Sequence, residues 1–272
     1  MKHFDFTFPT PAKNLACDEA LLDWREENSG TGFQPVHSKG RQAGGAVPLF
    51  GGEEILRFWE SPETFVVVGY ANKIAAEVNV ENCRAKKIPI FRRCSGGGTV
   101  LQGAGCLNYA LILRIAEKSP LANISTANQF IMERNRAAVQ SLHPCFQIDG
   151  PVFNISVISI SGHTDLTIGD LKFSGNSQRR RKNFLLFHGT FLLEFNLALV
   201  GKFLQMPSKQ PDYRNRRGHG EFLMNLNLST DEVKAAMQKI WKANAPLENP
   251  PLEKIFKLAR EKYSSREWNG KF

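Results

Sequence analysis

The chain has 272 residues, 42% hydrophobic and 22% charged, enough apolar side chains to pack the core of one large domain or two small ones. Lys and Arg number 35 against 26 Asp and Glu, a formal charge of +9 that calls for an anionic partner: nucleotide, nucleic acid or an acidic protein. Cys17, Cys83, Cys94, Cys106 and Cys145 are odd in number and lack CxxC spacing, which argues against a disulfide scaffold or a structural zinc site, and no run reaches the ~20 apolar residues of a membrane helix or the apolar stretch of a signal peptide. A soluble, cytoplasmic protein with reduced thiols is expected.

In chain order, NLACDEALLDWREE (14–27) has helical apolar spacing and predicts an amphipathic helix. Residues 28–50 are rich in Gly, Ser, Gln and Pro and read as a flexible insertion, with a functional lid as the other reading. EILRFWE and TFVVVGY predict short strands separated by the turn signal SPE; VNVENCRAKK predicts a short helix; IPIFRR and CLNYALILRI predict two more strands. A helix is expected over 125–142 with Ser125 or Thr126 as its cap. VFNISVISIS, DLTIGDLKFSGNSQ and NFLLFHGTFLLEF predict strands with tight turns. Two helices close the chain, one opened by a Ser229–Glu232 capping box, the other by Pro251 in its first turn. Helix, strands, helix, strands, helices is not a βαβ alternation, so the expected class is α+β, helices packed on a mixed or antiparallel sheet.

Ser95-Gly96-Gly97-Gly98, after Arg92 and Arg93, sits between two predicted strands. Glycines let backbone amides close on an anion, and the arginines offer planar donors. A wide hairpin turn with surface arginines is the plainer reading. GxxxxGK[ST] and GxGxxG are both missing, so the turn is neither a P-loop nor a dinucleotide fingerprint. Further on, Lys172 lies in a strand context just before Ser174-Gly175-Asn176-Ser177, and His188-Gly189-Thr190 lies in the next strand.

RRCSGGGTV, Leu107-Asn108, DLTIGDLKFSGNSQ and HGTFLL, in this order, resemble the lipoate–protein ligase and octanoyltransferase family, with NLACDEALL and RFWESPETFVVVGYANK as supporting matches. The resemblance covers roughly residues 14–223 and implies the catalytic fold shared with biotin protein ligases and related to class II aminoacyl-tRNA synthetases. It divides the chain into a catalytic domain over 1–223 and a short helical extension over 224–272. Its ligase members activate lipoate or octanoate with ATP to acyl-AMP and pass the acyl group to a lysine of a lipoyl domain, of the 2-oxoacid dehydrogenase or glycine cleavage H protein type. ATP and Mg²⁺ are the implied cofactors; nucleic acid and membrane are not implied partners.

Carried over, Arg93, Ser95, Gly96, Gly97 and Gly98 line the acyl-adenylate pocket, with Arg92 at its edge. Lys172 is the pocket lysine, its charge placed for the acyl carbonyl and phosphate. Asp165 matches the family's aspartate and is the candidate for nucleotide or Mg²⁺; ending a strand in a turn is its other reading. Asn108, Ser174, Gly175, His188, Gly189 and Thr190 complete the pocket, His188 being open to a purely structural reading. TFVVVGY and LNYALIL are expected to wall an acyl tunnel, and Lys209, Arg214, Arg216 and Arg217 to approach the ATP phosphates. The Arg179–Lys182 run is read as a solvated turn or as a contact for an acidic carrier.

Three departures stand out. Gln102 occupies the position where the family often has His, and an amide cannot titrate near neutral pH. Only 49 residues (272 − 223) follow Leu223, against the accessory C-terminal domain of the longer ligases, so a separate accessory protein is a possible partner. The acyl-thioester cysteine of the transferases is missing from its matching positions, and Cys145 lies 27 residues (172 − 145) ahead of Lys172. ATP-dependent ligation is therefore expected over transfer from an acyl carrier protein, with a non-catalytic binding module as the third reading.

Overall fold

The computed structural model describes residues 1–29, 54–142 and 157–272. Residues 30–50 of the expected insertion, the start of the VFNISVISIS strand and Cys145 lie outside the described residues.

The first half of the chain forms β1 (Lys2–Asp5), α1 (Pro11–Glu27), β2 (Ile55–Trp59), β3 (Phe65–Val68), α2 (Ile74–Glu77), α3 (Val80–Ala85), β4 (Ile90–Arg92), β5 (Val100–Gln102) and β6 (Cys106–Arg114). The second half forms α4 (Ile124–Gln140), β7 (Ile158–Ser161), β8 (Asp165–Ile168), β9 (Leu171–Arg180), β10 (Phe184–Leu192), α5 (Val200–Phe203), α6 (His219–Phe222), α7 (Thr230–Trp241), β11 (Ala245–Pro246), α8 (Leu252–Leu258) and α9 (Arg266–Asn269). Eight strands make one mixed sheet in the order β11-β1-β2-β6-β10-β9-β8-β7, and β4-β3-β5 make a second, smaller one. The expected α+β class is what the chain adopts.

Local chemistry sets several boundaries. Helix α1 starts three residues earlier than its apolar pattern, because the Thr10 side chain caps it and Pro11 takes the first turn. Asn123, rather than Ser125 or Thr126, caps α4, its Oδ1 accepting from the Thr126 amide at 2.9 Å. The Ser229–Glu232 capping box of α7 forms as expected.

Side-chain alternation along β6 and β10 builds two cores. Leu107, Tyr109, Leu111 and Leu113 of β6 join Leu185, Phe187 and Phe191 of β10 beneath α4 and α7. Ala110 and Ile112 join Phe184 and Leu186 on the opposite face, against Cys17, Ala20 and Leu21 of α1. His188 and Thr190 share the register of Phe184 and Leu186, so β10 presents them on the α1 side.

The segment after Leu223 is part of the same body. Trp241 is fully buried under the sheet, and its Nε1 donates to Asn135 Oδ1 at 2.9 Å. Tyr263 and Lys262 both bind the Glu19 carboxylate of α1. Asn269 accepts from the Arg92 amide at 2.9 Å, and the Trp268 indole donates to the Arg92 carbonyl at 2.8 Å. Replacing Trp241 by Phe keeps the ring but strands the buried Asn135 oxygen; urea unfolding should show a loss of about 1–3 kcal/mol.

Candidate active site

A cavity of about 910 Å³ opens between the two sheets, and strands β5, β6, β8, β9 and β10 supply much of its wall. Arg93, Gly97, Gly98, Gln102, Asn108, Asp165, Lys172, Ser174, Gly175, His188, Gly189 and Thr190 all line it, so the structure brings together most of the residues singled out in the sequence. Arg92, Ser95 and Gly96 do not line it.

The glycine turn is held from inside. Arg93 Nη2 donates to the carbonyls of Gly96 at 2.6 Å and Gly98 at 2.7 Å, and its Nε to Ser95 Oγ at 3.1 Å. Burial lowers the Arg93 guanidinium to about 10, still fully charged at neutral pH. Gly97 adopts φ of +86°, open to glycine and costly elsewhere. With the carbonyls drawn to Arg93, the amides of Gly96, Gly97 and Gly98 find no acceptor among the described residues. Arg92 has a different task. Its buried Nη1 donates to the carbonyls of Gly69, Tyr70 and Asn72 at 2.9–3.0 Å, tying the β3 exit to β4.

Facing the turn, Lys172 Nζ pairs with Asp165 Oδ1 at 2.8 Å, and Tyr213 donates to Asp165 Oδ2 at 2.7 Å. A bulge puts Leu166 opposite Ser174 but Thr167 opposite Lys172, one residue out of step. That extra residue brings the lysine over Gly175, where a Cβ would stand 2.7 Å from Nζ. Burial first, then the Asp165 charge, pushes the Tyr213 hydroxyl well up, so it stays a donor.

Gln102, the unexpected residue, closes a ring. Its Nε2 donates to Thr190 Oγ1 at 2.7 Å, Thr190 donates to Asn108 Oδ1 at 2.7 Å, and Asn108 returns a bond to Gln102 Oε1 at 3.0 Å. On the α4 side, Asn135 Nδ2 donates to the Tyr109 hydroxyl and Tyr109 to Asn176 Oδ1, both at 2.6 Å. Gly189 leaves room for that amide: a Cβ there would lie 1.6 Å from Asn176 Oδ1.

A buried charge cluster missed in the sequence reading lies behind the turn. Asp18 of α1 accepts from Arg57 Nη1 at 2.5 Å and from His188 Nδ1 at 3.0 Å. His188 Nε2 meets Ser95 Oγ at 2.6 Å, and Ser95 Oγ lies 2.8 Å from Ser177 Oγ. Burial alone would raise the Asp18 carboxyl, but Arg57 and His188 overcome it and hold the group below its ordinary range. The available signal was Asn14 and Asp18, two polar residues at i,i+4 among the apolar positions of the first helix.

Other expectations are placed differently. Lys209 and Arg214 line the cavity, but Arg214 Nε donates to the Arg217 carbonyl and Arg217 donates to the carbonyls of Asp170 and Tyr213; Arg216 is outside the cavity wall. Arg179, Arg180 and Arg181 bind the Cys94 carbonyl, the Leu121 and Ala122 carbonyls, and Asp23, so they anchor β9 instead of forming a solvated turn. Val67 and Tyr109 reach the cavity from TFVVVGY and LNYALIL. Both Asp165 oxygens are engaged, by Lys172 and by Tyr213, and no group of three His, Cys, Asp or Glu side chains placed to hold a metal occurs among the described residues. Cys17, Cys83, Cys94 and Cys106 are buried away from the cavity, and burial raises the thiols of Cys17, Cys94 and Cys106 to about 12.

A family model of the lipoyl protein ligase A/B catalytic domain matches residues 10–242. The chain belongs to this family. It is 26% identical over 231 residues to lipoate-protein ligase A subunit 1 of Thermoplasma acidophilum, covering 81% of this chain and 86% of that protein. It is 25% identical over 304 residues to octanoyltransferase LipM of Geobacillus kaustophilus, covering 99% and 98%. It spans 63% of a longer relative, the probable lipoate-protein ligase A of Mycoplasma pneumoniae, at 30% identity. Its fold is that of lipoate-protein ligase A solved with ATP bound, with a TM-score of 0.69, 22% identity and 100% of both chains covered. The bipartite lipoate protein ligase of Thermoplasma acidophilum, solved with its E2 lipoyl domain, gives a TM-score of 0.68 at 22% identity over 100% and 98% of the chains. Members of this family are lipoate ligases or octanoyltransferases, and the protein is accordingly an enzyme of lipoylation. Among the described residues no helix is long and apolar enough to cross a membrane.

Two predictions follow from this geometry. Asp18 has a depressed carboxyl, so its contribution to stability is present above the ordinary carboxylate value of about 4 and is lost as pH falls through the folded value. Asp18→Asn should cost about 3–5 kcal/mol at neutral pH, because Arg57 is left buried and unpaired, and should flatten the acid limb of a stability–pH curve from urea midpoints. Gly189→Ala should displace Asn176; the readout is a lower melting temperature together with weakened ligand binding.

Proposed function

We propose that this enzyme activates lipoate or octanoate with ATP as an acyl-adenylate and transfers the acyl group to a lysine of a lipoyl domain. One observation carries the reading: Lys172 and the Gly97–Gly98 turn, whose amides have no acceptor among the described residues, line one cavity that, among the described residues, has no cysteine in its wall. The polar end suits an acyl phosphate, and Val67, Tyr109 and Leu101 offer apolar wall to the acyl chain. ATP supplies AMP as the group that makes the carboxylate reactive. Lys172 stabilises charge building on the carbonyl and phosphate oxygens, and the glycine amides hold the phosphate without reorganising. Mg²⁺ accompanies the nucleotide in this reading, held by phosphates instead of a protein cage. The lipoyl domain of the bipartite Thermoplasma ligase structure supports a carrier of that kind.

A second reading is ATP-independent transfer from an acyl carrier protein, favoured by the end-to-end match to an octanoyltransferase. It needs a nucleophile, and Cys145 is the cysteine not yet placed.

Purified protein is incubated with lipoate, ATP and a lipoyl domain, and the domain's mass is followed with pyrophosphate release. The ligase reading expects a lipoyl adduct that needs ATP, a loss of about 10²-fold or more in Lys172→Ala, and full activity in Cys145→Ser. Acyl transfer from acyl carrier protein without ATP, abolished in Cys145→Ser, would replace it with the second reading.

A further inference from the structure

The Asp18 cluster extends past the charges that hold it together. Ser177 of β9, His188 and Asp18 all touch the cavity, His188 nine-tenths buried and Asp18 almost wholly so, and Ser95 is almost fully buried outside its wall. With His188 as a neutral imidazole, the hydrogen-bond directions in this chain follow one from another. Ionised Asp18 can only accept, so His188 Nδ1 carries a proton, and in the neutral ring Nε2 is then the acceptor. Ser95 Oγ–H must then point at Nε2. Arg93 Nε already donates to Ser95 Oγ, and the remaining lone pair receives the Ser177 hydroxyl. Every proton in the line therefore points from the cavity toward the imidazole.

We infer that Ser177, Ser95, His188 and Asp18 form a proton relay that accepts the proton released when an amine attacks the acyl group in the cavity. The inference rests on the reading that this cavity forms an amide, and it holds for either acyl donor. The attacking nitrogen forms a bond to the acyl carbon, and the bond from that carbon to the leaving group breaks, the electron pair staying with the leaving group. The nitrogen proton passes to Ser177, the Ser177 proton to Ser95, and the Ser95 proton to His188 Nε2. The imidazolium that results faces the Asp18 carboxylate. The other charged groups around it are Arg57, bound to Asp18; Arg93, bound to Ser95; and Arg179, on the Cys94 carbonyl. All three are cations, so Asp18 is what makes a fourth positive charge tolerable. Ser95 acts through Ser177, and His188, whose ring also reaches the cavity wall, is the proton-accepting residue.

The test uses the full chain, chemically synthesised lipoyl-adenylate and an isolated lipoyl domain, with single-turnover amide formation followed from about pH 6.5 to about pH 10, where a free lysine amine loses its own proton. His188→Gln should slow the reaction by about 10²-fold near pH 7, and the gap to wild type should close as pH rises. Ser177→Ala removes one hydroxyl at the cavity wall and should show the same pH-dependent deficit, which keeps the test available if the buried substitution does not fold. A deficit of equal size at every pH, or a Ser177→Ala enzyme equal to wild type throughout, would overturn the relay. Wild-type protein that leaves the adenylate untouched would instead sink the adenylate reading of the cavity. The same pair of variants, assayed with octanoyl-loaded acyl carrier protein, then decides the relay.

Discussion

The Asp18–Arg57 ion pair is the junction on which the site depends. It lies under the first helix, at the second strand, and reaches the tenth strand through His188. Taking two ions out of water costs several kcal/mol each, and an apolar pair of equal volume would be no worse for stability. The geometry shows what the charges do in exchange. Arg57 also donates to the carbonyl and side-chain oxygen of Asn14, so helix and strand are fixed in register. The carboxylate sets the His188 tautomer, the imidazole sets the Ser95 hydroxyl, and Ser95 receives the guanidinium that draws in the glycine-turn carbonyls. A buried charge in the cavity wall is thereby linked, through His188 and Ser95, to the arginine that holds the glycine turn.

Around this junction the polar groups form closed sets. The Gln102–Asn108–Thr190 ring satisfies its members internally, and the Trp241–Asn135–Tyr109–Asn176 line runs from the seventh helix to the cavity wall. Such networks are costly when half made and rigid when complete. The contrast is with the amides of the glycine turn, which find no acceptor among the described residues. Rigid, satisfied walls around a few open donors are what a preorganised anion site requires.

Much of this was legible in the chain. Apolar alternation in LNYALIL and FLLFHGTFL gave the central strands, and RRCSGGG, KFSGNS and HGT named the polar part of the cavity wall around Lys172, the glycine turn and His188. The strands β5 and β11, three and two residues long, carry too little periodicity to be read locally. Arg92 and Arg93 look equivalent in sequence, yet strand alternation sends one to the tail and the β3 exit and the other into the turn. The Arg179–Lys182 run looked solvated because its partners, Cys94, Leu121 and Asp23, are distant in sequence. Asp18 was hidden for the same reason: its partners lie 39 and 170 residues away.

Lys172 lines the cavity paired with Asp165, and Asp165 is held in turn by Tyr213. An incoming molecule must draw the ammonium away from a carboxylate that is itself pinned. A ligand with an anionic oxygen replaces one ion contact by another, whereas an uncharged analogue of the same shape leaves both partners of the old pair short of a contact. The pinned aspartate thus works as a threshold. On the proposed reading of the cavity, a ligand that engages Lys172 exchanges the Asp165 contact for its own, an exchange that favours an anionic oxygen over a neutral group.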